Sequence, residues 1–422
     1  MSDSGDPAEY ILQLSKQARK AAREFAAVSG EARAAALSAM VDALKSARPE
    51  LASANLADLE DARNAGLPQP MVARLEITDK VFDYMQKRLK EIAALPDPVG
   101  RTLEGLTRPN GFRVSKVTVP IGVVGIIYES RPNVTTDAAS VCLKSGNAVI
   151  LRGGSESLRT NIVLADAMAE AASKHGLPDH AIQIIRTADR ENVQHLLRMD
   201  RYVDVLIPRG GKSLIERVAS ESRIPVIKHY EGICHQYLAA DAPVERAVAV
   251  TVNSKCQRVE VCNALETLLV DGQSSERLLP ELKRGFDAEN VTLRGCARTR
   301  AILPDIAAAT EEDWRTEYLD RILSVRIVDG VTEAIEHINT YGSGHTDGII
   351  TDDIATARLF VAGVDASSVL VNASTRLSGG GDYGMGAVVG ISTDKLHARG
   401  PVGPSELTSY KWIAYGDGHL RD

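Results

Sequence analysis

Several things are scarce in this sequence, and each scarcity excludes something. Cysteine is one. The 422 residues include five, Cys142, Cys234, Cys256, Cys262 and Cys296. The number is odd, the spacing irregular, and no CxxC pair occurs. That argues against a disulfide framework and fits a reducing compartment. No histidine stands at zinc-finger spacing from Cys256 or Cys262, and neither HExxH nor an EF-hand loop is present, so no metal is expected. Aromatic residues make up only 4% of the chain, which suits a sheet core of Val, Ile and Leu. The longest apolar run, "VTVPIGVVGIIY", is about half a membrane span and is broken by Pro120. The N-terminal "MSDSGDPAEYILQLSKQ" has no basic stretch leading into an apolar one, unlike a secretory signal. Positive charge is also short: the net charge is −7 and the pI about 5.8, which disfavours a general nucleic-acid partner. The composition predicts a cytoplasmic globular protein without membrane or nucleic-acid partners.

What is present is α/β patterning. The length calls for two or three domains. Residues 8–95 carry apolar positions at helical spacing, with Thr78 placed to cap a helix. "GFRVSKVTVP" alternates like an exposed hairpin strand and runs into a continuously apolar, buried one. Helical and strand-like stretches then alternate: "NAVILRG", "AIQIIR", "VDVLIP" and "IPVIKHY" read as strands. Beyond a turn near residue 240, "ALETLLV", "LSVRIVDG", "TDGIIT" and "SSVLVN" do the same. Such alternation means βαβ units and parallel sheets. Gly379, Gly381 and Gly384 spell GxGxxG, but they do not follow a strand and open a helix, so the match is weak. "RGGKS" lacks the first glycine of a P-loop, since Leu206 stands there. On the residues alone Cys262 is open to four readings: buried hydrophobe, disulfide half, metal ligand or nucleophile.

Several stretches fit one family together. "YESRPNVTTDAASVCLKSGNAVILRGGSES", "IPVIKHYEGICH", "VCNALETLLV", "YGSGHTDGIIT", "VNASTR" and "GISTDKLHARGPVG" occur in order over nearly the whole chain. On these the sequence resembles the gamma-glutamyl phosphate reductases of the aldehyde dehydrogenase superfamily. The resemblance implies NADPH-dependent reduction of L-glutamyl 5-phosphate to L-glutamate 5-semialdehyde, with phosphate release, in proline biosynthesis. It implies an aldehyde dehydrogenase-like fold with three parts. A Rossmann-like NADP(H) domain takes residues 1–106 and 119–240. An α/β catalytic domain takes 241–365. A small β oligomerisation arm takes 107–118 and 395–422, and 366–394 return to the cofactor domain. A homo-oligomer, dimer or tetramer, is expected, because an exposed arm is marginal alone. A glutamate 5-kinase on a separate chain is expected to supply the acyl phosphate.

The resemblance also assigns residues. Cys262 takes the nucleophile's place: a thiolate displaces phosphate and leaves a thioester that accepts hydride, and such a thiolate needs positive charge or oriented N–H groups around it. The oxyanion is expected on the Cys262 N–H, with Ser130 or Asn263 helping. His229 stands where hydrolytic relatives keep the glutamate that activates water, and losing that base protects the thioester from water. On the cofactor face Arg152 and Gly153 end a strand, and Ser155 replaces the carboxylate that grips a 2′-hydroxyl, which favours NADP(H). Gly210 and Gly211 form the glycine turn by the phosphates, and Glu317 is expected on the nicotinamide ribose. Arg131, Arg258, Arg376 and Arg399 are candidates for the substrate's anionic groups, with Ser374 and Thr375 as neutral donors. His345 and Asp347 are candidates for its ammonium group. Val259, Leu377 and Val388 depart from the family pattern. The rivals are another acylating or oxidising aldehyde dehydrogenase and a catalytically silent nucleotide-binding homologue.

Overall fold

The computed structural model describes residues 6–129 and 131–421. They form two compact units. The first comprises residues up to 228, with 384–391 and 401 onward; the second comprises 229–383 and 392–400. The division falls at 228/229, ahead of the turn near 240, because the strand between those points belongs to the second unit's sheet.

In the first unit five helices come first: α1 (Pro7–Glu24), α2 (Gly30–Ser46), α3 (Arg48–Asn64), α4 (Gln69–Leu75) and α5 (Asp79–Ala94). Asp6, Ser29 and Thr78 cap three of them by accepting from the N–H groups of Ala8, Ala32 and Val81, which satisfies donors that have no partner inside the helix. Then follow β1 (Thr102–Thr107), β2 (Arg113–Pro120), β3 (Val123–Tyr128), α6 (Asn133–Lys144), β4 (Ala148–Arg152), α7 (Leu158–Lys174), β5 (Ile182–Ile184), α8 (Glu191–Leu196), β6 (Val205–Arg209) and α9 (Lys212–Glu221). The four strands β3 to β6 make a parallel sheet in the order β5-β4-β3-β6. Every residue of β3 is buried, which explains its unbroken apolar sequence. Ile11 and Leu14 of α1 pack against Val123, Ile127 and Ile150 on one face. The chain winds from β3 out to β5 and then returns to the other side of β3. The switch point therefore lies between the carboxyl ends of β3 and β6, where open α/β sheets take ligands.

β1, β2 and the C-terminal strand Thr408–Tyr415 form a separate antiparallel sheet. β1, exposed along its whole length, adds a third strand to the two segments expected from sequence. "IPVIKHY" does not form the expected strand. Only Val226 bridges to Leu206, and Pro225 brings no N–H to continue a ladder.

The second unit contains β7 (Cys234–Leu238), α10 (Val244–Cys256), β8 (Leu265–Asp271), α11 (Ser275–Ala288), β9 (Thr292–Gly295), α12 (Ala297–Ile302), β10 (Ala307–Ala308), β11 (Ile322–Val328), α13 (Gly330–Tyr341), β12 (Thr346–Ile350), α14 (Ile354–Gly363) and β13 (Ser368–Val371). The seven strands run parallel in the order β10-β9-β11-β8-β7-β12-β13. Sequence patterning leaves β7, near the centre of this sheet, unassigned. Its text, "CHQYL", is half polar yet wholly buried. The polarity is neutralised from afar: Asp347 accepts from both the N–H and Nδ1 of His235 (2.9 and 3.1 Å), and Gln236 donates to the Ala373 carbonyl. Among the described residues no helix is long and apolar enough to cross a membrane.

Candidate active site

Cys262 stands in a turn, half-buried, just before β8. Gly232 stands just before β7, and His345 immediately before β12. The amino ends of three adjacent central strands thus converge, opposite to the usual carboxyl-end location of sites in such sheets. The approach is very close. A Cβ built on Gly232 would lie 1.8 Å from the Cys262 carbonyl oxygen, so only glycine fits. Glu317 accepts from the Gly232 N–H (2.9 Å) and Ser343 Oγ from the Ile233 N–H (2.9 Å), which fixes this turn. The β7–β8 register shifts at Cys234/His235. In that irregularity Glu266 turns inward to a wholly buried ion pair with Lys255 (2.6 Å) and accepts from the Leu319 N–H.

A polar chain runs behind the cysteine. The Cys234 thiol donates to the Cys262 carbonyl (3.2 Å) and lies 3.8 Å from His345 Nδ1. Burial pushes the Cys234 thiol well up in pKa, so it clamps the turn and is not a second nucleophile. His345 Nδ1 also meets Thr346 Oγ1 (2.8 Å), which meets Ser378 Oγ (2.8 Å), and Ser378 donates to the Thr375 carbonyl (3.0 Å). When Ser378 gives its proton to the Thr375 carbonyl, Thr346 donates to Ser378 and accepts from His345, and this arrangement puts the His345 proton on Nδ1 and a lone pair on Nε2. That Nε2 is buried and has no hydrogen-bond partner among the described residues. Burial lowers the His345 pKa to about 4, only partly offset by Asp347 and Glu317, so the ring is neutral at neutral pH. A nitrogen of His345, a nitrogen of His229 and Cys262 Sγ lie within 4.8 Å of one another. The two rings meet edge to face at 5.5 Å.

Two guanidinium groups belong to the same surroundings. Burial lowers the pKa of Arg376, repulsion from Arg258 adds to this, and charge on Cys262 acts the other way. Arg376 donates to Gln257 (3.0 Å) and Arg258 to Glu260 (3.1 Å). Ser374 Oγ bonds Ser254 Oγ on α10 and accepts from the Arg376 N–H. The Thr375 N–H donates to Ser254, while its buried Oγ1 has no partner among the described residues. The Asn263 amide donates to the Arg376 carbonyl (3.3 Å) and Ser378 Oγ (3.4 Å), which turns it toward the 374–378 turn. Asp347 meets both His235 groups through its Oδ1. Arg399 bonds Asp365.

The first unit presents its own set at the sheet's switch point. Arg152 ends β4, and its buried Nε lacks a partner among the described residues. Gly153 allows close approach, since a Cβ there would meet the Asn161 amide at 2.2 Å. Ser155 is exposed, and the Glu156 carboxylate folds back over Gly154 and acts electrostatically on Arg152. Gly210 and Gly211 link β6 to α9, but the Gly211 N–H already donates to Glu129 (2.9 Å). Arg131 opens the turn into α6, its N–H donating to the Glu129 carbonyl. Ser130 lies outside the described residues. The Gly379–Gly384 stretch forms turns with no helix after it.

Sequence reasoning missed Cys234, Glu129 and the meeting of His345 with His229 beside Cys262. The "GICH" motif held Cys234 but no sign of its bond to Cys262.

Comparison with known proteins agrees with this architecture. The model for "Aldehyde dehydrogenase family" matches residues 5–293. The gamma-glutamyl phosphate reductase of Thermotoga maritima is 41% identical, with 98% of this chain and 100% of that one covered and a TM-score of 0.95. The gamma-glutamyl phosphate reductase of Saccharomyces cerevisiae is 31% identical over 97% of this chain and 98% of that one, with a TM-score of 0.54. An acetylating aldehyde dehydrogenase from Geobacillus thermoglucosidasius, 19% identical with a TM-score of 0.68 over 99% of this chain and 98% of that one, shares the fold. On the family match and the two full-length reductase relatives, the chain belongs to the aldehyde dehydrogenase family, within its gamma-glutamyl phosphate reductase branch.

Proposed function

We propose that this oxidoreductase reduces L-glutamyl 5-phosphate to L-glutamate 5-semialdehyde and phosphate in proline biosynthesis. The observation that carries the reading is a thiol, Cys262, beside two imidazoles and two guanidinium groups, in a chain 41% identical to a reductase of that name. The Cys262 proton passes to the His345 Nε2 lone pair, and the thiolate attacks the acyl carbon. The oxyanion rests on the Cys262 N–H. As the carbon–oxygen bond to phosphate breaks, Arg258 and Arg376 stabilise the departing charge, and Ser374 and Thr375 orient the substrate. A thioester on Cys262 results. The nicotinamide cofactor, when bound, supplies hydride to that carbonyl. The carbon–sulfur bond of the hemithioacetal then breaks, and Cys262 takes its proton back.

The cofactor face of the first unit supports NADP(H). Arg152 offers a cation with an unengaged, buried Nε, suited to a 2′-phosphate once Glu156 turns aside. Gly153, Gly210 and Gly211 permit backbone approach. The enzyme works in the cytoplasm as a homo-oligomer, dimer or tetramer, joined through the antiparallel arm. A glutamate kinase supplies the acyl phosphate.

One observation favours a second reading. His229 lies close enough to Cys262 to activate water and make the enzyme oxidising. The test is NADP⁺ reduction by glutamate 5-semialdehyde, with and without phosphate, in wild type and Cys262→Ala. The first reading expects activity that needs phosphate and is lost in the variant. Activity without phosphate would replace it with the second, and activity retained in Cys262→Ala would overturn both.

A further inference from the structure

We propose that Cys262, His229 and His345 form a site for one soft divalent cation, of the zinc class, whose binding silences the nucleophile reversibly. The three ligand atoms lie within 4.8 Å of one another. Ligands of a tetrahedral zinc, at roughly 2.0–2.3 Å from the metal, stand about 3.3–3.8 Å apart, so small side-chain rotations close the triangle. Thiolate and imidazole are the donors that select zinc over magnesium or calcium.

A second observation points to a ligand. His345 Nε2 is a buried nitrogen with no hydrogen-bond partner among the described residues, on a side chain only 1% exposed. The ring is already oriented as a metal ligand is. Its far nitrogen, Nδ1–H, donates to Thr346, which is held by Ser378 and the Thr375 carbonyl, and this outer hydrogen bonding is what fixes tautomer and direction in zinc sites. The ligands come from the amino ends of three different strands or the turns before them, so no metal-binding spacing exists in the sequence.

Binding is a displacement, not a redox step. The Cys262 S–H bond breaks, the sulfur–metal bond forms, and one proton passes to solvent for each ion bound. Three protein ligands leave the fourth position to water. The binding itself does not depend on Cys262 being the nucleophile; the inhibition does.

The test uses the full chain, first stripped with a chelator. Zn²⁺ is titrated against a chromophoric chelator, and Co²⁺ is added separately to look for thiolate-to-cobalt absorption. Proton release and the rate of Cys262 alkylation are followed alongside. The expected result is one equivalent bound, one proton released, alkylation blocked, and a cobalt–thiolate band that Cys262→Ser abolishes. Cys262→Ser and His229→Gln should each weaken binding by more than the roughly 10–100-fold that loss of an outer hydrogen-bond partner costs. Circular dichroism establishes that each variant is folded, and His345→Gln is added if it folds. Unchanged affinity in Cys262→Ser, or no binding at one equivalent, overturns the proposal. Phosphate-dependent activity of the stripped enzyme is measured separately, so failure of the metal site leaves the reductase reading standing. Binding without inhibition would overturn the silencing.

Discussion

Replacing Gly232 with alanine should disable the site while leaving most of the fold intact. The added Cβ would lie 1.8 Å from the Cys262 carbonyl oxygen, 2.5 Å from its carbon and 2.7 Å from its Cα. All three are backbone atoms, and no rotamer change relieves the contact. Ordinary carbon–oxygen contact is near 3.4 Å, so the turns before β7 and β8 must part by about 1.5 Å. Neither is loose. Glu317 and Ser343 hold the Gly232–Ile233 segment, and Cys234 holds the Cys262 carbonyl. The displacement therefore falls on the reacting sulfur. A misplacement of about 1 Å costs about 100-fold in rate, so kcat should fall at least 100-fold. Overpacking of this kind destabilises by about 1–3 kcal/mol, which lowers Tm without unfolding the protein at 25 °C. The assay is phosphate-dependent NADP⁺ reduction with Tm recorded in parallel. The control is Ile338→Val on α13, which costs about 0.5–1.5 kcal/mol and should keep wild-type kcat. A Gly232→Ala enzyme within fivefold of wild-type kcat would refute the reasoning, because the two turns would then be free to separate.

Two further predictions concern buried charge in the second unit. His337 has both ring nitrogens buried and unpartnered among the described residues; burial, then repulsion from His235 and Arg326, lowers its pKa to about 2. The unfolded chain takes up this proton below about pH 6.5 and the folded one does not, so stability is full above that pH and lost as pH falls. Between pH 7.5 and 5.5 the loss is about 1.4 kcal/mol, read by urea unfolding at each pH, and His337→Phe should remove it; equal slopes in both proteins would refute the assignment. Lys255→Met leaves Glu266 buried without its cation and should cost about 3–5 kcal/mol. Adding Glu266→Leu should restore most of that in thermal unfolding, and a double variant no better than the single would show that the pair is not what holds the turn.

The α/β class, the helical N-terminal region and most of the parallel strands are legible in the amino-acid order. Those features are written locally: β3 is apolar throughout because both its faces are covered, and Thr78 caps α5 from one residue away. Motif text carried the family and singled out Cys262. What surrounds that cysteine comes from long-range packing. β7 is invisible to hydrophobic patterning because its polar His235 and Gln236 are satisfied by Asp347 and Ala373, more than a hundred positions away. Asp347, a candidate for the substrate on sequence grounds, gives its Oδ1 to that task. The state of His345 is set by a relay through Thr346 and Ser378, and no spacing announces it. Periodicity records which side of an element meets the core. It holds no record of which strand lies beside which, and the surroundings of Cys262 are made wholly of such adjacencies.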